Sequence, residues 1–225
     1  MIILKEETKF EREESLPKLY RSCAIRFKMC CNSNIEFTFQ PIHSKWDLYQ
    51  NPALNNYIEE LLKQVKPMDE EWKENIKDKW WMKRQPSINS EEYKLYDPNL
   101  FKLRSKLMSF GGEAVCLPDK DLCIQKVLRY GQLWIQDQVY YTPMVDNQCY
   151  INSLLLTEGD NSDLYMCMGY ALSDDGMWRE HGWVIDKKNG NIIETTTKRV
   201  LYYGYVMNSI ERERLLQIIM PKSDI

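Results

Sequence analysis

Two side chains that together make a thiol nucleophile open two successive segments of contrasting pattern. Cys149 begins the apolar run CYINSLLL, which reads as a helix start, and His181 begins HGWVID, which reads as a strand start. A cysteine attacks as its thiolate, so its ordinary pKa of about 8.5 must fall for it to work at neutral pH. A helix N-terminus supplies partial positive charge for this, and a nearby imidazolium supplies more. Cys149 follows the polar stretch MVDNQ, which predicts a thiol facing solvent at the positive end of its helix. The chain has two histidines, so the choice of base is nearly forced.

The next strand offers a third group. The turn KKNG joins WVID to NIIE, and a four-residue turn there sets Asp186 opposite Asn191, Trp183 opposite Glu194 and His181 opposite Thr196. Residues two apart share a strand face, so Glu194 lies diagonally across from His181 and is the candidate to orient the imidazole and fix its tautomer. A two-residue Asn189-Gly190 turn keeps the same facing and moves Glu194 one pair further off, whereas a slip of one residue would send it to the other face. The backbone N–H of Cys149 and the side chains of Gln148 and Asn147 are the candidate oxyanion donors. Trp183, two residues beyond His181, is a candidate wall of a substrate cleft, together with Trp178. The plainer reading of the same residues is packing: a buried core cysteine, a satisfied sheet histidine and two core indoles.

In their order, Cys149 at the head of a helix, His181 at the start of a strand and the polar Glu194 on the next strand, these residues resemble the papain-like cysteine peptidase superfamily, particularly its compact NlpC/P60-type branch. The likeness spans about residues 140–200. Pro143 stands six residues before the cysteine, where papain-type enzymes carry a glutamine, and the third position in such enzymes is often Asn, Asp or His. The resemblance implies a papain-like antiparallel sheet and a covalent thioester mechanism.

Composition bounds the alternatives. The 225 residues are 44% hydrophobic, enough to bury a core, and the net charge of −3 gives no general attraction to nucleic acid or to an anionic membrane. Bases and tryptophans do mix in KDKWWMKR (77–84), but the bases suit a helix C-terminus following an acidic start, so nucleic-acid binding is not expected. The opening MIILKEETKF predicts no secretory signal, and no apolar run approaches the roughly 20 residues that span a bilayer. Seven cysteines without a CxxC predict free thiols in a reducing cytoplasm. The wide Cys23/Cys30 and Cys116/Cys123 spacings and the shortage of histidine predict no metal, and the lack of a glycine-rich phosphate loop or HExxH predicts no cofactor chemistry of those kinds.

The elements must then position the pair. Residues 1–50 contain two β-like stretches, KLYRSCAIRFKMCC and IEFTFQ. PALNNYIEELLKQV and DEEWKENIKDKWWMKR read as amphipathic helices, and Ser90 caps a short third. Gly111-Gly112 marks a change of texture. VLRYGQLWIQDQVYYTP is β-rich, the helix at Cys149 follows, and LYMCMGYAL, MWREHGWVID and NIIETTT form a three-stranded meander through SDDG and KKNG. A last helix begins at Asn208. The expectation is an α+β protein with a mainly helical region, 1–110, packed on an α+β region, 111–225, that carries the site, either as two units or as one continuous domain. Its expected activity is that of a cytoplasmic thiol hydrolase or acyltransferase acting on a peptide, amide or acyl substrate, including one borne on a protein. The competing expectation is a non-enzymatic protein that binds a macromolecular partner through its N-terminal helices.

Overall fold

A computed structural model of the protein describes residues 52–66, 71, 74, 98–116, 123–135, 139–158, 163–188 and 190–219. The β-like stretches of residues 1–50 and the helix expected at Ser90 lie outside them, as does the helix expected after Pro67 except for Glu71 and Glu74, which are helical. Helix α1 (Pro52–Leu62) starts on the proline, whose missing N–H costs nothing in a first turn, and buries Leu54 and Ile58 four residues apart. Helix α2 (Pro98–Phe110) buries Leu100, Leu103, Leu107 and Phe110 on one stripe. The sequence reading did not assign this helix, although that spacing is visible in it.

Gly111 and Gly112 then reverse the chain with φ of 124° and 89°. A β-carbon on Gly112 would also lie 2.9 Å from Leu172 Cδ1, so the turn needs glycine twice over. It leads into strand β1 (Ala114–Cys116), then α3 (Ile124–Tyr130), β2 (Gln132–Trp134), β3 (Val139–Tyr141) and α4 (Cys149–Leu156). The expected meander follows as β4 (Leu164–Leu172), β5 (Met177–Asp186) and β6 (Ile192–Glu194), and the chain ends in β7 (Leu201–Val206) and α5 (Ser209–Ile219). At α5, Asn208 Oδ1 accepts the Glu211 N–H at 2.9 Å while Glu211 Oε2 accepts the Asn208 N–H at 2.8 Å, a reciprocal cap.

The protein is α+β, with five helices among the described residues and a curled sheet in the order β2-β7-β4-β5-β6-β3, β1 pairing with β5 off this path. Two expectations are corrected and one element is added. The sheet is mixed, since β1 runs parallel to β5 and β3 parallel to β6. Both strands reach their partners after long excursions through helices, the kind of connection parallel pairing requires. VLRY is not strand: Ile124, Val127 and Leu128 take helical spacing and pack on the core, so tertiary burial overrides β-propensity. Strand β7, unassigned in the sequence, is central to the sheet and buried along its whole length.

Strand alternation divides the core. On one face, Met166, Met168, Tyr170, Leu172, Trp178, Leu201, Tyr203 and Tyr205 pack against residues of all five helices. Because Leu54, Ile58 and the α2 stripe belong to this cluster, the helical region and the sheet share one core across Gly111. The opposite face gathers Trp134, Cys167, Ala171, Trp183, Ile185, Ile192, Tyr202 and Val206. His181 shares this second face, two residues before Trp183 on β5.

Candidate active site

The site is built where strand pairing along β5 is interrupted. One edge of β5 pairs with β4 continuously from Trp178 to Asp186. The other edge pairs with β1 at Met177–Arg179 and with β6 at Val184–Ile185, so no described strand pairs with 180–183 there. The first turn of α4 docks into this gap. Gly182 permits the approach, since a β-carbon there would lie 2.6 Å from Tyr150 Cδ1. Its backbone N–H donates to the Cys149 sulfur instead of to a neighbouring strand.

The KKNG turn closes as the sequence predicts. The Asp186 N–H donates to the Asn191 carbonyl at 3.0 Å, Gly190 takes φ of 74°, and Val184 pairs with Ile193. Continuing that register sets Trp183 opposite Glu194 and brings Glu194 diagonally to His181. The His181 Nε2 and Glu194 Oε2 atoms lie 2.8 Å apart, with the side chains 3% and 0% exposed. With Nε2 committed to the carboxylate, Nδ1 is the nitrogen left for Cys149, which is in hydrogen-bonding contact with the ring.

Glu194 is held on every side. Oε1 accepts the N–H of Thr195 at 2.9 Å, the N–H of Thr196 at 3.0 Å and the Thr196 hydroxyl at 3.1 Å. Oε2 accepts the Tyr202 hydroxyl at 3.1 Å besides the imidazole. Burial opposes ionisation of this carboxyl, but the His181 bond and charge, the Thr196 amide and Tyr202 outweigh it, and its pKa falls below the usual carboxylate value.

The same competition acts on the dyad. Burial would push the Cys149 thiol up. The hydrogen bond and charge of His181, together with the Gly182 N–H, prevail and lower it. For His181, burial disfavours the cation, but Cys149 and Glu194 raise its pKa to about 9. Both shifts favour a thiolate facing an imidazolium. The unsatisfied amides at the start of α4 add their positive potential at the sulfur.

Of the other predicted site residues, Gln148 and Asn147 are both exposed on the turn entering α4. Asn147 takes the left-handed region at φ 60°, and Gln148, which immediately precedes Cys149, is the N-cap residue without a side-chain capping bond, so its amide is uncommitted to that helix. The approach is anchored from within α4, where buried Asn152 donates from Nδ2 to the Val145 carbonyl at 2.7 Å. Trp183 requires a correction. It is fully buried, its ring centroid 6.4 Å from that of His181 and nearly parallel to it, so it backs the imidazole from the core and is out of a substrate's reach. Trp178 is likewise buried, donating from Nε1 to the Gly111 carbonyl at 2.8 Å. Arg179 is engaged by both oxygens of Asp175.

Three contributors escaped the sequence reading: the Gly182 amide, the paired amides of Thr195 and Thr196, and Tyr202. The run ETTT held a local signal for the second, because short hydroxylated residues after a carboxylate favour a tight side-chain-to-backbone loop. The other two depend on how separate elements meet. Among the described residues, no group of three or more His, Cys, Asp and Glu side chains is placed to hold a metal ion. No helix among them is long and apolar enough to cross a membrane. No protein-family model, curated protein or solved structure matches the chain.

Proposed function

We propose that the protein is a cysteine hydrolase or acyltransferase of papain-like arrangement, acting on a peptide, amide or acyl bond through a thioester on Cys149. The observation that carries this reading is the line of contacts from the α4 thiol to His181 to the buried Glu194. A core histidine needs no thiol partner with a lowered pKa, and a core cysteine needs no helix N-terminus and strand amide directed at its sulfur.

In this mechanism the Cys149 thiolate attacks the substrate carbonyl, forming the C–S bond while the carbonyl π pair moves to oxygen. The Cys149 N–H and the Gln148 side chain, with Asn147 beside it, serve the oxyanion. As the tetrahedral species collapses, the imidazolium protonates the leaving amine or alcohol. Neutral His181 then takes a proton from the water or amine that resolves the thioester, and the thiolate leaves. Glu194 keeps Nε2 protonated throughout, so that Nδ1 alone exchanges the working proton.

The mechanism needs Cys149 as a thiolate, which suits a reducing, cytoplasmic setting. The test is site-resolved alkylation of the native protein against pH. One fast cysteine at position 149, reactive well below the ordinary thiol range, supports the enzyme reading. Uniformly slow labelling of all seven supports the binding-protein reading instead.

A further inference from the structure

Building on the Cys149–His181–Glu194 reading, we propose that Tyr202 is a positioning residue: its hydroxyl, sharing Oε2 of Glu194 with His181 Nε2, sets how strongly that oxygen draws the imidazole proton. Tyr202 lies on β7, which is separated from β5 by β4 and from Glu194 by β5 as well. It nevertheless reaches the carboxylate at 3.1 Å, and its ring centroid lies 6.2 Å from that of His181 and 5.3 Å from that of Trp183.

The floor beneath these rings explains the reach. Tyr202 pairs with Ala171 on β4, while His181 pairs with Gly169, which pairs in turn with Gly204 on β7. None of the three intervening residues has a side chain larger than methyl. A β-carbon on Gly204 would sit 2.6 Å from Trp183 Cη2. The row of small residues lets the phenol and indole lie across the sheet beside the imidazole.

The groups facing His181 are Cys149 from α4, Glu194 from β6 and Tyr202 from β7; those facing Tyr202 are Glu194, the Arg199 N–H, which donates to its hydroxyl at 3.3 Å, and the Arg199 guanidinium charge, which acts on the phenol against burial and Glu194. Burial and the Glu194 charge hold the Tyr202 pKa far above its ordinary value, so it remains an O–H donor across the working range. Glu194 Oε1 is occupied by three donors from its own turn, so competition for the carboxylate on the histidine side is between the imidazole and this phenol alone. A hydroxyl that shares the oxygen draws off part of its negative charge. Without it, the carboxylate acts on His181 undivided.

The experiment is an NMR titration of His181 in the full-length ¹⁵N-labelled chain, whose two histidines give a simple spectrum. In Tyr202→Phe the His181 midpoint should move upward by roughly half a unit to one unit, the order expected when one hydrogen bond to a charged group is removed. The control is Tyr203→Phe, an equally buried neighbour on the opposite face of β7. An unmoved midpoint in Tyr202→Phe, or equal shifts in both variants, reduces Tyr202 to a packing residue and overturns the proposal. If Tyr202→Phe does not fold, 3-fluorotyrosine placed at 202 keeps the ring and strengthens the donor, and must move the midpoint downward; no movement or an upward one overturns it. The titration uses no substrate. A protein inactive on every ester and amide tried, yet showing the shift, would overturn the enzyme reading and leave the Tyr202 assignment standing.

Discussion

His181 and Glu194 meet at 2.8 Å on neighbouring strands with almost no solvent contact, and the carboxylate is fully occupied, accepting from three donors at Oε1 and two at Oε2. A carboxylate held this completely cannot exchange an oxygen for an amide nitrogen without turning an N–H₂ toward a donor. The sequence alone suggests that Glu194→Gln is mild, because a hydrogen bond to imidazole remains possible. The geometry revises that. If the amide nitrogen faces Nε2, the ring must present its lone pair there and keep its proton on Nδ1, the tautomer that cannot take a proton at the thiol side. Glu194→Gln should lower kcat/KM by on the order of a thousandfold or more, the scale seen when the carboxylate behind a catalytic histidine is amidated. Stability should fall by about 1–3 kcal/mol from the mismatched donors. Turnover and urea unfolding of the variant check both, and near-parental turnover would remove Glu194 from the mechanism.

On the proposed mechanism Cys149→Ala should abolish turnover while the protein still folds, its unfolding midpoint falling only by the share of the His181 stabilisation that the thiolate supplies. Cys149→Ser should be nearly as inactive, since a hydroxyl is far harder to ionise than a thiol. Retention of full biological activity by the alanine variant would transfer the function to a binding surface.

The pH dependence has a sign at each end. His181 has a folded pKa raised to about 9, so the stability it contributes is fully present below its ordinary value of 6.5 and is lost as pH rises through about 9. Glu194 has a lowered pKa, so its contribution is present above the ordinary 4.5 and is lost as pH falls through its folded value. Urea midpoints should therefore be highest between pH 4.5 and 6.5 and decline toward about 9, with His181→Gln removing the alkaline decline. Turnover should follow a bell whose alkaline limb lies near 9. An alkaline limb near 6.5 would mean that the imidazolium is not stabilised as described.

Gly182→Ala tests the gap in the sheet edge. Its β-carbon would meet the Tyr150 ring at 2.6 Å, and the contact is relieved only by moving the first turn of α4 and with it the sulfur. Overpacking of this kind costs about 1–3 kcal/mol. The fast phase of Cys149 alkylation should slow several-fold even where the variant remains folded, because a displacement of about 1 Å is enough to spoil a reacting geometry. An unchanged alkylation profile would show that the α4 start is not held by this approach.

Local pattern alone determined a good part of this protein. The meander was legible because β-rich runs alternate with SDDG and KKNG, and the KKNG turn closes in the register that pairs Val184 with Ile193 and brings Glu194 to His181. The α4 start at Cys149 and the Asn208 cap were legible for the same reason: side-chain spacing and capping act over a few residues. Tertiary structure decided the rest. It made α3 from a β-prone segment, placed β7 at the centre of the sheet, and sent β1 and β3 into parallel pairings. It also turned Trp183 from a cleft wall into the core backing of the imidazole, and supplied the Gly182 amide and the Tyr202 hydroxyl to the site. These outcomes depend on which distant segments bury surface against one another, and such long-range contacts leave no periodicity in the segments that make them.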